Sequence, residues 1–173
     1  VPFPTAAGSG PAPAQGASAI TAHLGDKSRT PLLDADRSAP VALWASGTVC
    51  PDVNCTGPTG VGWYQFNVTG GTFPATPAQQ QTWTNGNDGL YRFMPSIAVD
   101  NAGNTAIGYS TSSSTAFPGI RYAGRLATDP IGNLGQGEAT MFAGTGNETG
   151  LSRSGGYSMT NSDPSAGKTF RNL

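Results

Sequence analysis

The sequence predicts an all-β fold, and three observations carry that reading. The chain is dense in turn formers, with 25 Gly and 14 Pro in 173 residues, and both residue types interrupt regular structure. Its apolar residues alternate over short runs, the period of a half-buried strand, and no stretch of good helix formers repeats at 3.6 spacing. The segment "YRFMPSIAVDNAGNTAIGYSTS", Tyr91 to Ser112, reads as a hairpin in which two such runs flank the turn residues Asp100 to Asn104. Helix is expected to be nearly absent.

Taken in order, residues 1–16 ("VPFPTAAGSGPAPAQG") have the composition of a linker. "ASAITAHL", Ala17 to Leu24, is a short strand with no set of its own. Four strands follow in "SRTPLLDAD", "VALWASGTV", "VGWYQFNV" and "QQQTWT", the middle two separated by a loop containing "CPDVNC". A second set runs through "PSIAVD", "TAIGYSTS", "GIRYAGRLATD" and "GEATMFAG", and a third begins in "LSRSGGYSMTNSDPSAGKTF". Arg29, Arg92 and Arg153 head the three sets, 63 and 61 residues apart. Four-stranded antiparallel units at a near-constant period are the sequence signature of a β-propeller, with blades here at about 17–84, 91–146 and 152–173. The alternative that the same turn density permits is a β-sandwich of about eight to ten strands.

The length fits one domain with a core of its own. A formal net charge of −1, only 11% charged residues and the lack of any basic cluster argue against nucleic acid as a partner. No apolar run approaches the ~20 residues a bilayer span needs, so no membrane span is expected. Cys50 and Cys55 stand in a Pro-, Asp- and Asn-rich loop, and the single histidine, His23, lies 27 residues before Cys50. Two thiols make a poor zinc site, so a loop-closing disulfide is expected. With only two lysines and many Thr, Asn and Gly, this suggests an exported protein whose signal peptide has been removed.

The stretch "RFMPSIAVDNAGNTAIGYSTSSSTAFPGIRYAGRLATDPIGNLGQGEATMFAGTGNETGLSR" resembles the last blades of secreted bacterial sialidase-like (BNR/Asp-box-type) β-propeller proteins, and the likeness is specific from Trp63 to Arg153. "AVDNAGNTAIGY" is a loose relative of the box that gives those proteins their name. "YRFMP", with Met94 as an added residue, is similar to the Arg-x-Pro element opening the sialidase catalytic propeller, which implies that Arg92 grips a substrate carboxylate. The resemblance further implies a secreted or periplasmic fragment of a larger propeller, about 2.5 to 3 blades long. So few blades leave broad faces bare, and the expected remedy is a homodimer whose two chains close one ring.

On the propeller mapping, the loops before each first strand, and those joining second to third strands, share the funnel face. That face gathers His23, Asp26 and Arg29, then Asn85, Asp88 and Arg92, then Asn147, Glu148, Arg153 and Tyr157, with Asp52 and Asn54 from the cysteine loop. Asp34, Asp36, Asp100 and Asp163 fall toward the other end. Converging carboxylates and Asn oxygens suit Ca²⁺, and including His23 shifts the preference toward Zn²⁺ or Mn²⁺. The expected roles are catalysis by Asp88, Glu148 and His23, and metal binding by Asp88, Glu148, Asp26 and Asp52. Arg29, Arg92, Arg153 and Tyr157 would hold the substrate. A metal-polarised water could then hydrolyse esters, phosphoesters, phosphotriesters or glycosides. Against this stands a plainer reading: the carboxylates are solvated loop residues, the arginines tie strand starts to neighbouring carbonyls, and the protein is a non-catalytic glycan- or protein-binding module. Triad-hydrolase, helix-borne zinc-protease and nucleotide-binding motifs are absent from the sequence.

Overall fold

The computed structural model describes residues 42–52, 54, 56–86, 88–147, 158–163 and 169–172. These residues are all-β apart from one 3₁₀ turn at Thr69–Gly71, as the alternating pattern requires. Three antiparallel sheets form. The first contains β1 (Ala42–Val49), β2 (Gly60–Asn67) and β3 (Gln79–Trp83) in that order. The second is a meander of β4 (Tyr91–Val99), β5 (Thr105–Ser112), β6 (Gly119–Arg125) and β7 (Glu138–Phe142). The third is the pair β8 (Thr160–Ser162) and β9 (Phe170–Asn172). Propeller blades and ring closure are finer statements, taken up below as proposals.

The period-2 rule sorts every strand of the four-stranded sheet into two faces. Cross-strand pairs Ile97↔Ile107 and Ile107↔Ala123 place these three on one face, together with Tyr109. There they join Val61 and Trp63 of β2 in the buried core, with Trp44 and Trp83 packed alongside. On the other face Ser96 and Gly108 meet the small third sheet: the Thr160 amide donates to Ser96 Oγ at 2.9 Å. A Cβ on Gly108 would stand 2.9 Å from Thr160 Oγ1 and from the Asn172 side chain. The four-stranded sheet is therefore covered on both faces, wholly by neither.

Two local devices join the layers. Between Phe93 and Ser96 the register of β4 shifts, and Met94 adopts a left-handed backbone with φ of 51°. A bulge of this kind turns an amide and a carbonyl out of the ladder. The Met94 amide donates to Thr48 Oγ1 of β1 at 3.1 Å, and its carbonyl accepts from Ser158 Oγ at 3.4 Å. The second device is the β6–β7 loop, which buries Leu134 in the core. Its amides at Gly132 and Leu134 donate to the side chains of Gln79 and Gln81 on β3, at 3.0 and 3.1 Å.

One expectation changes here. The run "GIRYAGRLATD" does not continue as a strand to Asp129, because β6 ends at Arg125. The Asp129 carboxylate accepts the Leu126 amide at 2.8 Å and the Asp129 amide returns to the Leu126 carbonyl, which turns the chain. Among the described residues "VALWASGTV" forms β1, which pairs with β2 and packs against β4. The strand expected in "SRTPLLDAD", along with Arg29, lies outside the described residues.

Candidate functional site

The charged centre of the described structure is built on Arg92. The β3–β4 loop approaches it through Asn85, at φ of 50°, and Gly86, and Asp88 Oδ1 then accepts the Leu90 amide at 3.0 Å. This local turn aims the Asp88 carboxylate at the guanidinium four residues on, where Oδ1 and Oδ2 lie 3.0 and 2.7 Å from Nη1 and Nη2. From the far edge of the same sheet Glu138 supplies a second bidentate partner, its Oε2 2.7 Å from Nε and its Oε1 3.0 Å from Nη2. The Thr84 and Leu90 carbonyls take up Nη1 as well, at 2.9 and 3.0 Å. A guanidinium has five N–H donors, and every nitrogen here has a protein acceptor. The backbone is held too: the Arg92 amide donates to the Thr59 carbonyl, and the Arg92 carbonyl accepts from Thr59 Oγ1 at 2.9 Å.

Glu138 is equally committed. Besides Arg92 it accepts Arg121 Nη1 at 2.7 Å and the Tyr109 hydroxyl at 2.6 Å, and that hydroxyl accepts the Trp83 indole N–H at 3.0 Å. Arg92 and Glu138 are 1% and 2% exposed, whereas the Asp88 side chain is 34% exposed at the rim. Burial works to raise the Glu138 carboxyl, but the bonds from Arg92, Tyr109 and Arg121 prevail and hold its pKa at about 2. Burial opposes the Arg92 charge, yet Glu138 and Asp88 raise its pKa above the ordinary value. Asp88 is shifted downward, burial being outweighed by the Arg92 guanidinium and the Leu90 amide. Burial followed by Glu138 pushes the Tyr109 phenol upward. Two cations and two anions balance, all in strong charge-assisted bonds.

Of the residues expected at the site, Asp88 and Arg92 are brought together. Asp52 instead organises its own loop, its carboxylate accepting the amides of Asn54, Thr56 and Gly57 at 2.9, 3.1 and 3.0 Å. His23, Asp26, Arg29, Glu148, Arg153 and Tyr157 lie outside the described residues, as does Cys55; Cys50 is not a free thiol. Among the described residues no group of three or more His, Cys, Asp or Glu is placed to hold a metal ion. Sequence reasoning missed Glu138, Tyr109, Arg121 and Trp83. One signal was present for Glu138: it is the only charge in "GEATMFAG", and alternation sends it to the inner face with Ala123.

No family model, no curated protein and no solved structure matches this chain.

Proposed function

We propose that the chain is a section of an exported bacterial β-propeller that acts as a non-catalytic glycan- or protein-binding module. One observation carries the non-catalytic part: the carboxylates of Asp88 and Glu138 and the guanidinium of Arg92 are consumed in binding one another. A hydrolytic site needs a carboxylate with a lone pair directed at water or metal, and an arginine that grips a substrate needs donors facing outward. Here the same groups clamp the β3–β4 loop to the far edge of the sheet, the plainer of the two roles that the sequence leaves to its arginines. The propeller reading is supported by the four-stranded meander, by β4 packing against both β1 and β8, and by the likeness of the Trp63–Arg153 stretch to sialidase-like blades. The metal-assisted hydrolase reading names Asp88, which is bound to Arg92, Asp52, which holds its own loop, and His23, Asp26 and Glu148, which lie outside the described residues.

The purified chain is expected to show no turnover on chromogenic esters, phosphotriesters and glycosides, with or without added Ca²⁺, Zn²⁺ or Mn²⁺. Turnover that EDTA abolishes and a divalent ion restores would establish the hydrolase instead. Export goes with a Cys50–Cys55 disulfide, whose ring stabilises by about 1–3 kcal/mol when extrapolated to so short a loop. Thiol titration of unreduced, denatured protein is expected to find no reactive group; two would remove the disulfide and, with it, this argument for export.

A further inference from the structure

β6 presents Arg121, Ala123 and Arg125 in turn to the core face, where Ala123 and Arg125 stand opposite Ile107 and Thr105 of β5. Arg121 finds Glu138 at 2.7 Å. Arg125 is 5% exposed, and its side chain has one acceptor among the described residues, the Asp129 carbonyl at 3.0 Å from Nη2. Its buried Nε has no acceptor, and the Oγ1 of Thr105, equally buried and directly across the strand pair, has no partner either. Among the described residues no carboxylate forms an ion pair with Arg125. Asp129, four residues on, is turned to its own loop: its carboxylate accepts the Leu126 amide at 2.8 Å and the Gln136 side-chain amide at 3.1 Å.

Arg92 and Arg125 are both buried and differ in what they hold. On Arg92 the edge of the fork formed by Nε and Nη2 takes the Glu138 carboxylate, at 2.7 and 3.0 Å. On Arg125 the same edge has a backbone carbonyl at Nη2 and nothing at Nε. A buried charge is tolerated when it is paired, and a water molecule would satisfy the N–H while leaving the charge uncompensated.

We propose that Arg125 and Thr105 form a binding site for a small monovalent oxyanion of the class of formate or nitrate. The Nε–H and the second N–H of Nη2 donate to it, as they do to a carboxylate in a bidentate pair. The Thr105 hydroxyl donates from the facing position, cross-strand Cβ atoms being about 4.5–5.5 Å apart. A single unpaired cation calls for a single negative charge. Burial of both donors restricts the site to a small ion and excludes a glycan or a protein segment. The ion would tie the end of β6 to the start of β5, and the inference is independent of the glycan- or protein-binding role proposed above.

Formate is the probe, with ionic strength held constant by gluconate, a carboxylate too bulky to reach buried donors. Calorimetric titration of the full chain is expected to show one saturable formate site, and the melting temperature is expected to rise with formate along the same curve. Thr105→Val keeps the shape and removes the hydroxyl. It is expected to weaken formate binding about tenfold, the worth of one hydrogen bond to a charged group, and in gluconate alone to be at least as stable as the parent, since it deletes a buried hydroxyl that has no partner. Arg125→Lys keeps the charge without the fork and is expected to weaken binding further; Thr105→Val keeps the test decisive if the lysine variant does not fold. Absence of saturable binding, equal melting-temperature rises in formate and gluconate, or a Thr105→Val variant that binds formate as tightly as the parent would each overturn the proposal.

Discussion

A carboxylate at the head of an edge strand is ordinarily solvated and energetically neutral; Glu138 is neither. Its pKa is held at about 2, against an ordinary value near 4.5. Because the folded value is the lower one, the resulting stability is fully present above about pH 4.5 and is lost as pH falls through about 2. Stability by urea denaturation is expected to decline across that window in the parent chain. In Glu138→Gln the decline is expected to be much shallower, and the stability at pH 7 lower by about 3–5 kcal/mol, since Arg92 is left buried with one charge partner gone. A variant with the parent's pH profile would show that Glu138 is not the group responsible. Asp100 has a different task at the same scale. Its carboxylate accepts the Ala102 and Asn104 amides at 2.9 and 2.8 Å and the Asn104 side chain at 2.8 Å, closing the β4–β5 turn, while Gly103 supplies the φ of 84° that the turn requires.

At the scale of elements, β4 explains why an arginine and a proline stand in the first half of one strand. Arg92 anchors the strand to its neighbours by side chain and backbone. Two residues later the Met94–Pro95 bulge, where Pro95 has no N–H to place in the ladder, passes an amide to β1 and a carbonyl to Ser158. The third sheet depends on a matching concession in β5. A two-stranded sheet is marginal alone, and β8 and β9 seat where Gly108 leaves no side chain. Gly108→Ala forces a methyl to within 2.9 Å of Thr160 and Asn172; overpacking of this kind costs about 1–3 kcal/mol. The variant is expected to lower the melting temperature and to speed hydrogen exchange at the Thr160 amide, which is held by Ser96. A rise in stability, as strand Gly→Ala gives where there is room, would mean that the small sheet does not rest there.

At the scale of the molecule, the three sheets of the described residues share one core between the first and second and a thinner, more polar contact between the second and third. The outward side of β8 and β9 carries Asn161 and Arg171, which pair across the strands, and Arg171 binds Asp163 at 2.7 Å. Among the described residues the stack is thus apolar at its first sheet and polar at its third.

What the sequence determined by itself is the kind and place of the elements. Alternation, turn residues and β-branched or aromatic runs are local signals, and seven strands from β1 to β7 lie where those signals stand, with the Asp100–Asn104 turn among them. Even the pairing of Asp88 with Arg92 is local, four residues apart across one turn. Tertiary structure alone decided what Arg92 does. Its second carboxylate comes from 46 residues away, brought near because four strands lie side by side and their inner faces are sealed by Trp63 and Trp83 of another sheet. No spacing rule links position 92 to position 138. The sequence can say that an arginine is present, but whether its donors face a ligand or a buried glutamate depends on which strand the meander lays at the sheet's far edge.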